Sequence, residues 1–229
     1  MTVLGIETAT TICAAALLRD GTTVHEASLD SENVHAERLL GQIDEVLGRG
    51  GIPVRALDAV AVSIGPGSFT GLRIGLSVAK GLAYAASLSV IGVPTLEALA
   101  RHAAAADPAA KEEFVLAALD ARRDEVYCQL FWRAQDDLTP AWDAAAMTVG
   151  ELRELIADRD VLVAGNAVRK VIGTERTYLP RAREASAHAS RCSAAAVAAL
   201  GTRMFRAGMK HDPAALEPLY IKEFFLKSR

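Results

Sequence analysis

The polar and apolar positions of the first hundred residues fall into short alternating blocks. Val3 to Ile6 is a short apolar run that predicts a buried strand, followed by the polar turn Glu7-Thr8-Ala9-Thr10-Thr11. Ile12 to Leu18 predicts a second strand, Arg19-Asp20-Gly21 a hairpin turn, and Thr22 to Ser28 a third strand. After Asn33 the period changes to that of a helix. Leu39, Leu40, Ile43, Val46 and Leu47 share one face, Glu37, Asp44 and Glu45 lie opposite, and Gly48 with Gly50-Gly51 ends the element. A strand over Asp58 to Ile64, a Gly65-Pro66-Gly67 turn, a helix over Thr70 to Ala86, a strand over Ser89 to Gly92 and a helix from Thr95 to about Ala105 complete this half.

The order then restarts beyond Asp107-Pro108, which is the expected domain boundary. Phe114 to Leu119 predicts a strand, Asp120-Ala121-Arg122-Arg123-Asp124 a polar turn, and Glu125 to Trp132 a strand. Arg133 to Ala146 reads as an irregular excursion. Thr148-Val149-Gly150-Glu151 is a capping box opening a helix to about Ala157, and Asp160 to Ala164 is a strand ending in Gly165-Asn166. A last helix is expected over Ser190 to Ala207, ended by Gly208, before the tail Glu217-Pro218-Leu219-Tyr220-Ile221-Lys222. Leu4-Gly5-Ile6-Glu7 and Ala118-Leu119-Asp120 thus occupy the same place in two hairpins. Strand-hairpin, helix and strand, stated twice, predict a duplicated α/β fold with a cleft between halves at 1–107 and 108–229, the last segment packing back on the first.

The helix after the glycine turn carries more apolar surface than one sheet can cover. Arg73, Ser77, Lys80 and Tyr84 make a narrow polar stripe, and the remaining positions are apolar or small. Gly71, Gly75, Ala79 and Ala83 form an i+4 ridge on which another backbone can pack closely. Either another subunit or another part of this chain supplies that second surface. The turn itself is not a P-loop: Leu72 stands where the phosphate-binding lysine of Gly-x-x-x-x-Gly-Lys belongs.

Composition narrows the classes. The chain has 229 residues, enough for a sizeable core, and is 51% hydrophobic and 5% aromatic, as a globular protein is. A net charge of −3 gives no electrostatic footprint for nucleic acid, so any RNA is expected to be held mainly by another protein. Cys13, Cys128 and Cys192 are scattered and odd in number, which fits a reducing compartment and no zinc spacing. The N-terminus enters a strand directly, and the apolar stretch Ile74 to Val93 is broken by Lys80 and glycines. The expectation is therefore a cytoplasmic protein with no membrane span.

Five segments together have a specific likeness. Ile6-Glu7-Thr8-Ala9-Thr10, His35-Ala36-Glu37-Arg38-Leu39-Leu40, the run Gly65 to Gly75, Leu119-Asp120-Ala121-Arg122 with Glu125-Val126-Tyr127, and Pro218-Leu219-Tyr220 resemble the TsaB (YeaZ) family over the whole chain. The resemblance implies an actin-like, Hsp70-like ATPase (ASKHA) fold of two ribonuclease-H-like halves. It implies a role in forming N6-threonylcarbamoyladenosine beside the anticodon of tRNAs reading codons that begin with A. In that family TsaD, a glycoprotease-like relative, does the transfer, TsaE supplies the ATPase, and TsaB is a catalytically inactive homologue of TsaD that acts as a scaffold. The two apolar helices would join those of TsaD, or of a second copy, in one bundle, with tRNA reached only indirectly. The positions expected at that contact are His35, Leu39, Leu40, Ile43, Leu47, Gly71, Leu72, Ile74, Gly75, Val78, Ala79 and Leu82. Family members often carry aspartate in place of Glu7 and arginine in place of Lys222. The longer Glu7 side chain displaces its carboxylate and weakens a metal or phosphate geometry there.

Two kinds of chemistry compete with the scaffold. A metal-dependent transferase or protease needs paired imidazoles, and His25, His35, His102, His188 and His211 include no pair three or four residues apart. His35 reads instead as a helix-start residue, partly exposed. An ATP-dependent phosphotransferase of the actin-like fold is the alternative function. It would rest on Glu7 and Asp120, at the ends of equivalent strands and able to face one another across the cleft, with Thr8 beside them. These three are the only cofactor-binding candidates, and no cofactor is assigned: ATP would act through TsaE. Ser68 and Thr70 are explained by helix capping. Arg122, Arg123, Arg181 and Arg183 offer at most a local basic patch.

Overall fold

A computed structural model describes residues 1–32, 34–107, 111–134, 137–173 and 179–221. Asn33, Pro108 and Lys222, singled out above, lie outside the described residues. The first half contains β1 (Thr2–Glu7), β2 (Ile12–Arg19), β3 (Thr22–Asp30), α1 (His35–Gly50), β4 (Ala59–Gly65), α2 (Phe69–Ala86), β5 (Ser89–Pro94) and α3 (Thr95–Ala106). The second contains β6 (Phe114–Asp120), β7 (Glu125–Ala134), β8 (Asp137–Pro140), β9 (Ala145–Thr148), α4 (Val149–Ile156), β10 (Val161–Ala164), α5 (Val168–Ile172) and β11 (Ala182–Glu184), before α6 (Ala194–Arg206).

The duplication is explicit in the sheets. The first has strand order β3-β2-β1-β4-β5, the second β8-β7-β6-β10-β11 with β9 also paired to β7. In both, the opening hairpin is antiparallel and the two later strands run parallel to its first strand. Each half is therefore a ribonuclease-H-like unit, and Glu7 and Asp120 end the equivalent strands β1 and β6. The described part of the expected excursion, 137–146, is more regular than its sequence suggests, because β8 and β9 each gain ladder bonds from β7.

Local chemistry accounts for several boundaries. Asp20 and Gly21 both adopt the left-handed region, φ 51° and 84°, which a two-residue hairpin turn requires. Gly51 ends α1 in the same region. Thr148 accepts the Glu151 N–H at 3.2 Å while the Glu151 carboxylate accepts the Thr148 N–H at 2.8 Å, so the capping box forms as expected.

The layers follow from alternation along the strands. Leu4, Ile6, Val60 and Val62 face α1 and α2, whereas Val3, Ala59, Ala61, Ile91 and Val93 face α6. Helix α3 contributes Leu96, Leu99, Ala100 and Ala103 to the core that joins the two sheets, and α4 and α5 cover the outer face of the second. Helix α6 lies unusually close to the first sheet. A side chain at Gly5 would collide with the Ala194 carbonyl and stand 2.9 Å from Ala198, and one at Gly201 would collide with Ala61. Among the described residues no helix is long and apolar enough to cross a membrane.

Candidate functional site

The glycine turn sits on the end of β1. Ser68 caps α2 by accepting the Gly71 N–H at 3.2 Å, and its own N–H donates to the Ala9 carbonyl at 2.7 Å. Side chains added at Gly67, Gly71 or Gly75 would run into the Ala9 carbonyl, the Thr8 carbonyl and the Thr8 hydroxyl respectively. The Gly71–Gly75 part of the small-residue ridge is thus filled by Thr8 of its own chain. Of the two possible covers it is the chain itself that supplies this one, which corrects the expectation that Gly71 and Gly75 lie at a partner contact.

Glu7 is 1% exposed, and its carboxylate turns inward. It accepts the Ala9 N–H at 2.5 Å and a hydrogen bond from Ser63. Burial pushes its pKa from 4.5 up to about 7, the hydrogen bonds opposing and nearby Glu26 adding to the rise. Thr8 is buried beside it, its hydroxyl without a hydrogen-bond partner. Asp120 is in different company. It is half exposed, its carboxylate takes the Lys170 ammonium at 2.7 Å, and its N–H donates to Asn166 Oδ1 at 2.8 Å. The two carboxylates end equivalent strands, yet each has its own partners and they do not form one open acidic site.

The twelve positions expected at a partner contact separate by burial. Leu39, Ile43, Leu47, Leu72 and Ala79 belong to the core, and Gly71 and Gly75 are covered by Thr8. His35 is buried rather than partly exposed, because its Nε2 lies 3.0 Å from the Thr10 carbonyl and 3.2 Å from that of Ile12. Leu40 is 55% exposed, since it lies one residue round from the buried face of α1. Ile74, Val78 and Leu82 are partly buried along α2, and Tyr84, absent from the expected set, is 91% exposed. Leu40 and Tyr84 are thus the large exposed apolar side chains of the two outer helices, with Ile74, Val78 and Leu82 half-buried between core and solvent.

Other candidates resolve elsewhere. His102 and His188 meet edge to face with ring centres 5.0 Å apart, and among the described residues no third metal-binding side chain joins them. Arg181 grips Asp160 with two bonds and Arg183 pairs with Asp107 and Glu112, so they are not free to build a basic patch. A cavity of about 690 Å³ between α3 and α6, closed by β3 and β8, is lined by Glu26, Arg101, Asp137 and Arg203 among others. Asp137 bridges Arg101 and Arg203, which hold its carboxyl well below the usual range, and Glu26 accepts from the start of α6. Asp137 is thus matched by the two arginines, and Glu26 is held by neutral donors.

Curated relatives share this sequence. The chain is 42% identical over 127 residues to the tRNA threonylcarbamoyladenosine biosynthesis protein TsaB of Haemophilus influenzae, a match covering 56% of this chain and 52% of the relative. It is 38% identical over 152 residues to the TsaB of Escherichia coli, covering 66% of this chain and 64% of that one. The matched region thus spans between half and two thirds of these relatives' length. A crystal structure of a protein similar to peptidase YeaZ, from Pseudomonas aeruginosa, superposes with a TM-score of 0.78 at 29% identity, covering 96% of this chain and 99% of that one. The family model of TsaD, tRNA N6-adenosine threonylcarbamoyltransferase, matches residues 29–222. The chain belongs to the TsaD family, in its TsaB (YeaZ) branch.

Membership explains the duplicated architecture, which is that of the actin-like ATPase fold. Three of the TsaB-like segments noted in the sequence, those at 6–10, Gly65 to Gly75 and 218–220, meet at the glycine turn. Gly67 rests on Ala9, Gly71 and Gly75 on Thr8, and Leu219 bonds to Ile64. What sequence reasoning missed here is Tyr84: a tyrosine on a polar stripe carries no signal until the helix is seen to be uncovered there.

Proposed function

We propose that this TsaB-family chain is a non-catalytic scaffold subunit in the formation of N6-threonylcarbamoyladenosine on tRNA. It would act by binding and activating a TsaD-type transferase together with the ATPase TsaE. The observation that carries this reading is the accessible apolar surface on α1 and α2: Leu40, Ile74, Val78, Leu82 and Tyr84 on helices that already bury their inner faces in the core. Accessible apolar side chains on two neighbouring helices suit another helical pair. The phosphotransferase alternative receives less support from the geometry. Glu7 is folded onto its own backbone and Asp120 is neutralised by Lys170, so neither carboxylate is presented to a nucleotide-bound metal.

The same surface serves a second copy of the chain when TsaD is absent, so homodimer and heterodimer exclude one another. TsaE supplies ATP turnover, and tRNA is reached through TsaD. The test mixes the purified chain with its own organism's TsaD on a sizing column with light scattering, then assays the fractions for ATP turnover and for threonylcarbamoyl transfer to tRNA. A heterodimer that transfers only when TsaE is added is the expected result. Failure to bind TsaD, with ATP hydrolysis by this chain alone that is lost in Asp120→Asn, would overturn the proposal in favour of the phosphotransferase.

A further inference from the structure

The segment after α6 doubles back across the first half. The His211 N–H donates to the Val90 carbonyl at 3.1 Å and the Gly92 N–H to His211 Nδ1 at 3.2 Å, so the return begins on the edge of β5. Leu216 is buried in the first core. The Leu219 N–H then donates to the Ile64 carbonyl at 2.7 Å. The Leu219 carbonyl lies where a side chain on Gly65 would approach it to 2.7 Å, and Gly65 is in the region that favours glycine, φ 119°. Only a glycine at this point lets the tail cross the turn.

The crossing ends on α2. Tyr220 accepts a hydrogen bond from Arg73 Nε at 2.9 Å, and its ring centre lies 5.4 Å from that of Phe69. The Arg73 guanidinium carbon sits 3.7 Å from the centre of the Phe69 ring. Arg73 is an exposed residue, and among the described residues it makes no ion pair. Its Nε is used and its plane is held by two aromatic rings, while four N–H donors on the terminal nitrogens remain for a ligand from outside. A guanidinium fixed in advance loses little conformational entropy when it binds, and its fork matches a carboxylate.

We propose that Arg73, held by Phe69 and Tyr220, is an anchor that takes an aspartate or glutamate side chain of the protein partner. The inference rests on the proposed binding of a TsaD-type partner at α1 and α2. It adds the tail and the start of α2 to that surface and assigns it a charge preference. Arg73 lies on the polar stripe of α2, next in the chain to half-buried Ile74 and one turn from Ser77. An arginine and tyrosine next to an apolar strip is the composition of a protein contact. A polyphosphate would need a field of cations, and this chain has a net charge of −3.

The test measures the affinity of the full-length chain for its own organism's TsaD by titration calorimetry at low and moderate salt. Arg73→Ala is expected to weaken binding about tenfold or more and to flatten its salt dependence. Arg73→Lys should not restore it, because an ammonium lacks the fork. Tyr220→Phe, which removes only the hydroxyl, should weaken binding by about 2–5-fold. Circular dichroism checks that each variant is folded. Leu40→Asp is the companion variant for the underlying surface. Loss of binding in Leu40→Asp with wild-type affinity in Arg73→Ala would overturn the anchor and leave the helical surface standing. Full rescue by Arg73→Lys would overturn the forked carboxylate contact. Absence of binding by the wild-type chain would overturn the surface and the anchor together. Unchanged TsaD affinity in Arg73→Ala with weakened binding of tRNA would reassign Arg73 to nucleic acid.

Discussion

Glu7 makes the stability of this fold depend on pH in a direction that a surface glutamate would not. Its carboxyl is buried, and burial raises its pKa from 4.5 to about 7. Well below pH 4.5 the group is protonated in both folded and unfolded chains, so its stabilising effect is fully present. As pH rises, the unfolded chain ionises first while the folded chain keeps its proton, and stability falls until the folded carboxyl also ionises near pH 7. The distance from 4.5 to about 7, at about 1.4 kcal/mol per pH unit, amounts to roughly 3 kcal/mol. Glu7→Gln keeps the shape and an oxygen to accept the Ala9 N–H, and it cannot ionise. The assay is urea unfolding of wild type and variant at several values between pH 4 and 8. Relative to wild type, Glu7→Gln should gain about 3 kcal/mol on going from pH 4 to pH 8, about 1 M in urea midpoint for a domain of this size. A difference between the two proteins that stays constant with pH would refute the reasoning. It would mean that the carboxyl is hydrated, or already ionised, in the native state.

Packing gives further expectations. Gly5→Ala should lower the urea midpoint by about 1–3 kcal/mol of stability, because the added methyl meets the Ala194 carbonyl and α6 must move; an unchanged midpoint would contradict that close approach. Gly75→Leu should lower the Tm of the isolated chain, since the Thr8 hydroxyl occupies the space; a wild-type Tm in thermal unfolding would restore the open ridge. Thr148→Ala removes the acceptor for the Glu151 N–H and should cost about 1 kcal/mol in chemical denaturation, with Glu151→Ala costing no more than the double variant.

Much of the fold was legible because its signals are local. Asp20-Gly21 demands a tight hairpin, Thr148 and Glu151 cap each other, and Gly51 ends α1; in each case the residues that decide are within a few positions of one another. The two-fold repetition of hairpin, helix and strand was readable for the same reason. Where long-range partners decide, the reading slipped. Helix α6 starts at Ala194 rather than Ser190, with Ser193 as its cap and Glu26 of β3 accepting from Ser193 and Ala195. Strands β8, β9 and β11 exist through the neighbours that bond them and have too few residues to declare a period.

The sequence by itself determined the family, the repeated architecture and the fact that α2 has more apolar surface than one sheet can cover. Hydrophobic period measures how much of a helix must be covered, and it is silent about what covers it. The tertiary structure decided that Thr8 fills the space over Gly71 and Gly75 while Leu40 and Tyr84 stay exposed. It also decided that Glu7 is buried and Asp120 is paired, since ionisation depends on burial and neighbouring charge rather than on position at a strand end. The meeting of Tyr220 with Arg73, 147 positions apart in the chain, could only come from the folded molecule, where the tail crosses a turn that glycine keeps open.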